Sequence, residues 1–204
     1  MSLTLVPPVT ANPPILEELL LPDFKADLRI DGTSEDALLV LMLAAARRYF
    51  EGRDGMLGRA FLTSTWDWSL DMWPPTGQLF LVPLSPLQSV QSISVRDAAG
   101  GVTTLDPTTY QVDTRSEPGR IAPKAGTWWP IPPWPTPTML GVLAAITIRF
   151  TAGYGTRAID IPEPLRMALL ATAGEFYTNR DTGALTVPPW VDRLVASYRI
   201  LTAA

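Results

Sequence analysis

The apolar positions divide the chain into two helical ends around a middle stretch that alternates with a period of two. The longest unbroken apolar run, Ala37-Leu38-Leu39-Val40-Leu41-Met42-Leu43-Ala44-Ala45-Ala46, predicts the principal helix. Thr33 or Ser34 stands where its cap belongs. Glu35 and Asp36 put negative charge in the first turn, against the positive end of the helix dipole. Arg47 and Arg48 fill the last turn and Gly52 follows, the usual stop signal. The middle of this helix is apolar on every side, so it needs cover from several directions. A neighbouring subunit could supply part of that cover. Leu38, Leu41, Met42, Arg47 and Arg48 are therefore the expected core or subunit-interface residues.

From about residue 61 to 150 the pattern changes to strands. Thr65-Trp66-Asp67-Trp68-Ser69-Leu70-Asp71-Met72 alternates polar and apolar, as in a strand with one buried face. Leu79-Phe80-Leu81-Val82, Val90 to Val95, Val102 to Leu105, Tyr110-Gln111-Val112 and Ala145 to Phe150 read as further strands. Asp97-Ala98-Ala99-Gly100-Gly101 is a hairpin turn. Residues 118–137 carry seven prolines together with Trp128, Trp129 and Trp134. That density argues for a loop rather than a central strand, and makes the three tryptophans candidates for a contact surface.

Residues 1–22 hold Pro7, Pro8, Pro13, Pro14 and Pro22 and read as an extended arm. A short helix follows, with Asp23 near its start and Phe24 and Leu28 one turn apart. At the other end, Pro162 and Pro164 favour a helix start, and residues 163–179 place Leu165, Leu169, Ala173, Phe176 and Tyr177 near one face. A last helix is predicted over 189–199. The expected class is α+β: a helical framework from residues 23–60 and 156–204, carrying an inserted small antiparallel β-sandwich or open barrel over 61–155, preceded by the arm.

Composition narrows the function. Among 204 residues there is no cysteine and no histidine. This removes disulfides, thiol nucleophiles, thiolate zinc sites and the side chain that most often moves protons near neutral pH. No catalytic residue, cofactor or metal site is expected. The remaining acid pairs, Asp67 with Asp71 and Asp160 with Glu163, suit solvated faces or helix caps. Gly153-Tyr154-Gly155 lacks the spacing of either phosphate-binding glycine motif and reads as a strand-to-helix turn. The formal charge of −4 opposes tight binding of nucleic acid. The longest apolar run is about half of the roughly 20 residues that a membrane helix needs, and no basic leader opens the chain, so synthesis in the cytoplasm is expected. Arg47, Arg48, Arg53 and Arg59 form the densest basic cluster. It suits a solvated helix end or an ion pair to Glu35 and Asp36 of a neighbouring subunit.

Three stretches, in order along nearly the whole chain, resemble the phage head–tail connector, or adaptor, proteins and their counterparts in gene transfer agents. The first is Asp23-Phe24-Lys25-Ala26-Asp27-Leu28-Arg29-Ile30-Asp31-Gly32, with Ser34 to Leu39 and Ala44 to Glu51. The second is Val82-Pro83-Leu84-Ser85-Pro86-Leu87-Gln88-Ser89-Val90. The third is Thr151-Ala152-Gly153-Tyr154-Gly155, with Ile161 to Arg166, Phe176 to Arg180 and Leu194 to Arg199. The arm and the 128–137 loop depart from the family pattern. The resemblance implies a neck protein of a virion or phage-like particle, forming a ring, typically dodecameric, between a portal and a stopper or tail-completion protein. DNA would pass through it without being held. Family analogy also assigns a portal-contacting tail over 185–204, with Leu194, Tyr198 and Arg199 as its candidate contacts. A competing reading from a different class is a carbohydrate- or receptor-binding module using Trp128, Trp129 and Trp134, since aromatic rings stack on sugars.

Overall fold

The computed structural model describes residues 2–6, 15–74, 79–97, 99–129, 143–180 and 186–200. The chain is α+β. It divides into two compact units, one of residues 1–9 with 64–153 and one of 10–63 with 154–204.

The helical unit contains α1 (Leu16–Leu28), α2 (Asp36–Phe50), α3 (Glu163–Thr178) and α4 (Pro189–Val195). Helix α1 begins at Leu16, within the stretch expected to be an extended arm, and runs through Pro22. An interior proline costs about 3 kcal/mol. Leu16, Leu20 and Phe24, spaced four apart, are all buried, and each buried side chain contributes roughly 1.5–3 kcal/mol. Burial outweighs the proline.

Helix α2 is capped differently from expectation. Glu35 holds the N-cap position, and neither its side chain nor a Thr33 or Ser34 hydroxyl closes the first turn. Instead the Glu35 carboxylate accepts a 2.7 Å hydrogen bond from the Tyr177 hydroxyl of α3, and Asp36 pairs with Lys25 of α1 at 2.7 Å. Nor is α2 covered all round. Leu39, Met42, Leu43, Ala46 and Phe50 form a single buried stripe, packed in one cluster with Leu165, Leu169, Ala173 and Phe176 of α3 and with Val191 and Val195 of α4.

Among the described residues the β unit has two open antiparallel sheets. The larger is ordered β1-β2-β8-β4-β5, from β1 (Ser2–Leu5), β2 (Ser64–Leu70), β8 (Ile146–Ala152), β4 (Leu87–Arg96) and β5 (Val102–Thr104). The period of two sets its faces. In the central register Trp68 lies opposite Ile148 and Leu70 opposite Ile146, with Ile93 facing Ile148 from the other side. The opposite face is polar. Arg149 grips Asp67 through two 2.7 Å bonds, and Gln91 donates to Thr151 at 2.9 Å. Asp97 closes the β4–β5 hairpin by accepting the amides of Ala99 and Gly101.

The smaller sheet is β3 (Phe80–Leu81), β7 (Arg120–Pro123) and β6 (Tyr110–Asp113), in that order. Here the structure corrects the sequence reading, because β7 lies inside the proline-dense stretch and is nevertheless central. It tolerates its proline because the strand is four residues long and Pro123 occupies its last position. The Trp68 and Phe80 rings meet edge-on at 5.7 Å, joining β2 to β3.

Gly119, just before β7, has no room for a side chain. A Cβ there would lie 2.5 and 2.6 Å from Leu87 Cδ2 and Cβ. Gly119→Ala is expected to destabilise the protein by about 1–3 kcal/mol through overpacking, seen as a lowered calorimetric midpoint.

Candidate assembly surfaces

The acidic residues that could have served proton chemistry are engaged structurally. Asp67 holds Arg149, and Asp71 accepts the Ala144 amide at 2.7 Å, which keeps its carboxyl below the usual carboxylate range. Asp160 is lowered too, because the Arg157 guanidinium and amide both bond to it. Gly155 bridges to Leu62 just before that bend, and a Cβ on it would run into Asp160. Among the described residues no cluster of acidic, histidine or cysteine side chains could hold a metal, and no helix is long and apolar enough to cross a membrane.

The candidate residues of α2 separate into two groups. Met42 joins the core, and Leu38 is half-buried against it. Leu41, on the opposite side, is 64% exposed. Arg47 turns inward along the helix flank, bonding to Glu51 and, at 3.2 Å, to both oxygens of the buried Glu17. Burial works against its charge, yet the two carboxylates raise its pKa. Arg48 and Arg53 are exposed. The expected basic cluster is thus dispersed. Its suggested acidic partners are engaged within the chain, Asp36 by Lys25 and Glu35 by Tyr177 and, at 3.8 Å, by Arg180.

Arg59 is the residue that sequence reasoning misassigned. Grouped with the solvated arginines, it is in fact 3% exposed. Its Nε donates to the Tyr198 carbonyl and its Nη1 to the Tyr154 hydroxyl at 2.9 Å. Its guanidinium also lies 5.6 Å from the centre of the Tyr198 ring and 5.9 Å from that of Tyr154. The amide of Ile200 bonds to the Leu57 carbonyl at 3.0 Å. The described part of the tail is therefore tied down at Arg59. Leu194 and Tyr198 pack against the helical core, and only Arg199 of the three candidate tail contacts is exposed, 3.6 Å from Asp192. Gly58 and Ala60, on either side of Arg59, gave no signal of its burial. The cue lay in two tyrosines distant in sequence.

The tryptophans also separate. Trp128 is 70% exposed, whereas Trp129 is buried, stacked on Trp73 at 5.0 Å and 12° and set against Phe80 at 5.0 Å. Trp134 lies outside the described residues. One of the two described rings is thus committed to the β unit, and a continuous aromatic platform for a sugar is not formed by Trp128 and Trp129.

These features define a class: an α+β protein with a helical frame and an antiparallel β unit, whose distinctive residues are at surfaces and in a tail clasp. Solved structures narrow the class further. The chain is similar over its whole length to a chain of the neck of an empty GTA particle computed with C6 symmetry, at 26% identity and a TM-score of 0.77, covering 98% of that chain. It is similar to the same extent to a chain of the neck of a native GTA particle computed with C12 symmetry, at 25% identity and 0.74. A chain of the virion of a native gene transfer agent particle matches at 26% identity and 0.74, again covering 98% of that chain. No protein-family model matches the chain, and no curated protein sequence does. The sequence resemblance to head–tail connectors of gene transfer agents is thus matched by structural neighbours from the neck of such particles.

Three substitutions test these placements. Leu43→Asp is expected to unfold the helical unit, since an unpaired buried charge costs several kcal/mol. Leu41→Asp should leave the melting midpoint within a degree or so, as exposed substitutions change stability by about 0.5 kcal/mol at most. Arg59→Ala should cost about 1–3 kcal/mol by leaving buried hydrogen-bonding groups unpaired. It should also speed hydrogen exchange at the Ile200 amide ahead of that in α2.

Proposed function

We propose that the chain is a head–tail connector subunit in the neck of a gene transfer agent or phage-like particle. In this reading twelve copies form a ring beneath the portal and above a stopper or tail-completion protein, and DNA passes through without being held. Its role is structural, not enzymatic.

The observation that carries the reading is similarity over the full length, at 25–26% identity, to chains of GTA-particle necks computed with C6 and with C12 symmetry. Two physical features support it. The net charge of −4 repels phosphate at long range, which suits a conduit through which DNA must slide. The exposed apolar face of α2, centred on Leu41, is what an oligomer would be expected to cover.

The test is to mix the purified chain with the portal protein of the same particle and image the product by negative-stain electron microscopy. Stacked rings on the portal are expected. A well-folded chain that neither forms a closed oligomer nor binds portal would overturn the reading.

A further inference from the structure

Resting on that reading, we infer that subunits join through exposed rows of α1 and α2, the α2 row of one copy seated on the α1 row of the next. A cyclic ring is built head-to-tail, so each subunit must present two different surfaces that fit each other. The helical unit carries such a pair.

The outer row of α2 runs Leu41, Ala45, Arg48, all exposed on the side away from the buried stripe. Across this row the helix has no charged residue until Arg48. An exposed row of α1, on the flank of its buried Leu16–Leu20–Phe24 stripe, runs Leu19, Asp23, Asp27, at i, i+4 and i+8. Among the described residues, Arg48, Asp23 and Asp27 form no ion pair within the chain. The pairs of these two helices are instead Lys25 with Asp36, Arg47 with Glu17 and Arg47 with Glu51.

The two rows match in order and in spacing. Each begins with a leucine and proceeds toward the helix C-terminus to unpaired charge, positive on α2 and negative on α1. At the 1.5 Å rise of an α-helix, Leu41 to Arg48 spans about 10 Å, while Leu19 to Asp23 and Asp27 spans about 6 and 12 Å. Laid parallel, leucine meets leucine, and the guanidinium falls between the two carboxylates. Arginine is the cation suited to such a shared, partly desolvated position. Ala45 between them lets the helices approach closely. The apolar end supplies burial and the charged end sets register and direction, the usual division of labour at an interface.

The experiment uses two variants of the full chain. One carries Arg48→Glu and the other carries both Asp23→Arg and Asp27→Arg. All three positions are exposed, so both variants should melt like wild type. Alone, each places like charges across every interface, and ring formation on the portal should fall by about tenfold or more. Mixed one to one, the variants can alternate, so that every interface again pairs opposite charges. Rings should return, now with six-fold rather than twelve-fold symmetry when one variant is tagged. Variants that assemble alone like wild type, or a mixture that does not recover, would overturn the interface while leaving the ring reading intact. A wild-type chain that forms no ring on portal would overturn the ring reading and this interface with it.

Discussion

The helical unit depends on the burial of one stripe of α2. Leu39, Leu43, Ala46 and Phe50 are almost wholly inaccessible and meet the inner faces of α1, α3 and α4 in a single cluster. Leu39, Met42, Leu43 and Phe50 are four buried large side chains on one helix, together worth several times the cost of any single local defect in the elements around them. That surplus explains why α1 can run through Pro22 and why α2 can begin without a side-chain cap. The polar residues near the α2 N-terminus are then free for other work, and Glu35 and Asp36 tie α2 to α3 and α1.

The same burial orients the remaining surface. A helix has only one inside, so placing the Leu39–Phe50 stripe inward turns Leu41, Ala45 and Arg48 outward. Arg47, one residue earlier, falls on the flank and is neutralised by Glu17 and Glu51. Neighbouring arginines in one helical turn thus have opposite fates, one satisfied within the chain and one presented at the surface. The tail is ordered by a different device. Arg59 combines two hydrogen bonds with two aromatic faces, interactions that strengthen as water is excluded. The residues of the tail that look most suited to contact a partner, Leu194 and Tyr198, are held by the subunit itself.

In the β unit the physical logic is alternation. Trp68, Leu70, Ile146, Ile148 and Phe150 lie on one face because the side-chain period of a strand is two. The opposite face is tied together by the Asp67–Arg149 pair and the Gln91–Thr151 hydrogen bond. The edge-on packing of Trp68 on Phe80, with Trp73 and Trp129 beside it, fills the space between the two sheets with aromatic rings. This places Trp129 inside and leaves Trp128 out, although the two are adjacent and chemically identical.

How much was legible in the sequence follows from the range of the interactions involved. Local patterns marked the α2 run, the alternating Trp66–Leu70 strand, the Asp97–Gly101 hairpin and the proline-initiated α3, because period and turn chemistry act over a few residues. The α+β class and the resemblance to head–tail connectors came from those same patterns in their order. The tertiary structure alone decided the rest. Whether Pro22 ends a helix depends on burial of Leu16, Leu20 and Phe24 by residues far along the chain. A proline-dense stretch could be a central strand because β3 and β6 flank it. Arg59 became a buried clasp because Tyr154 and Tyr198, 95 and 139 residues away, converge on it. Periodicity tells which residues share a face; only the folded chain determines what that face meets.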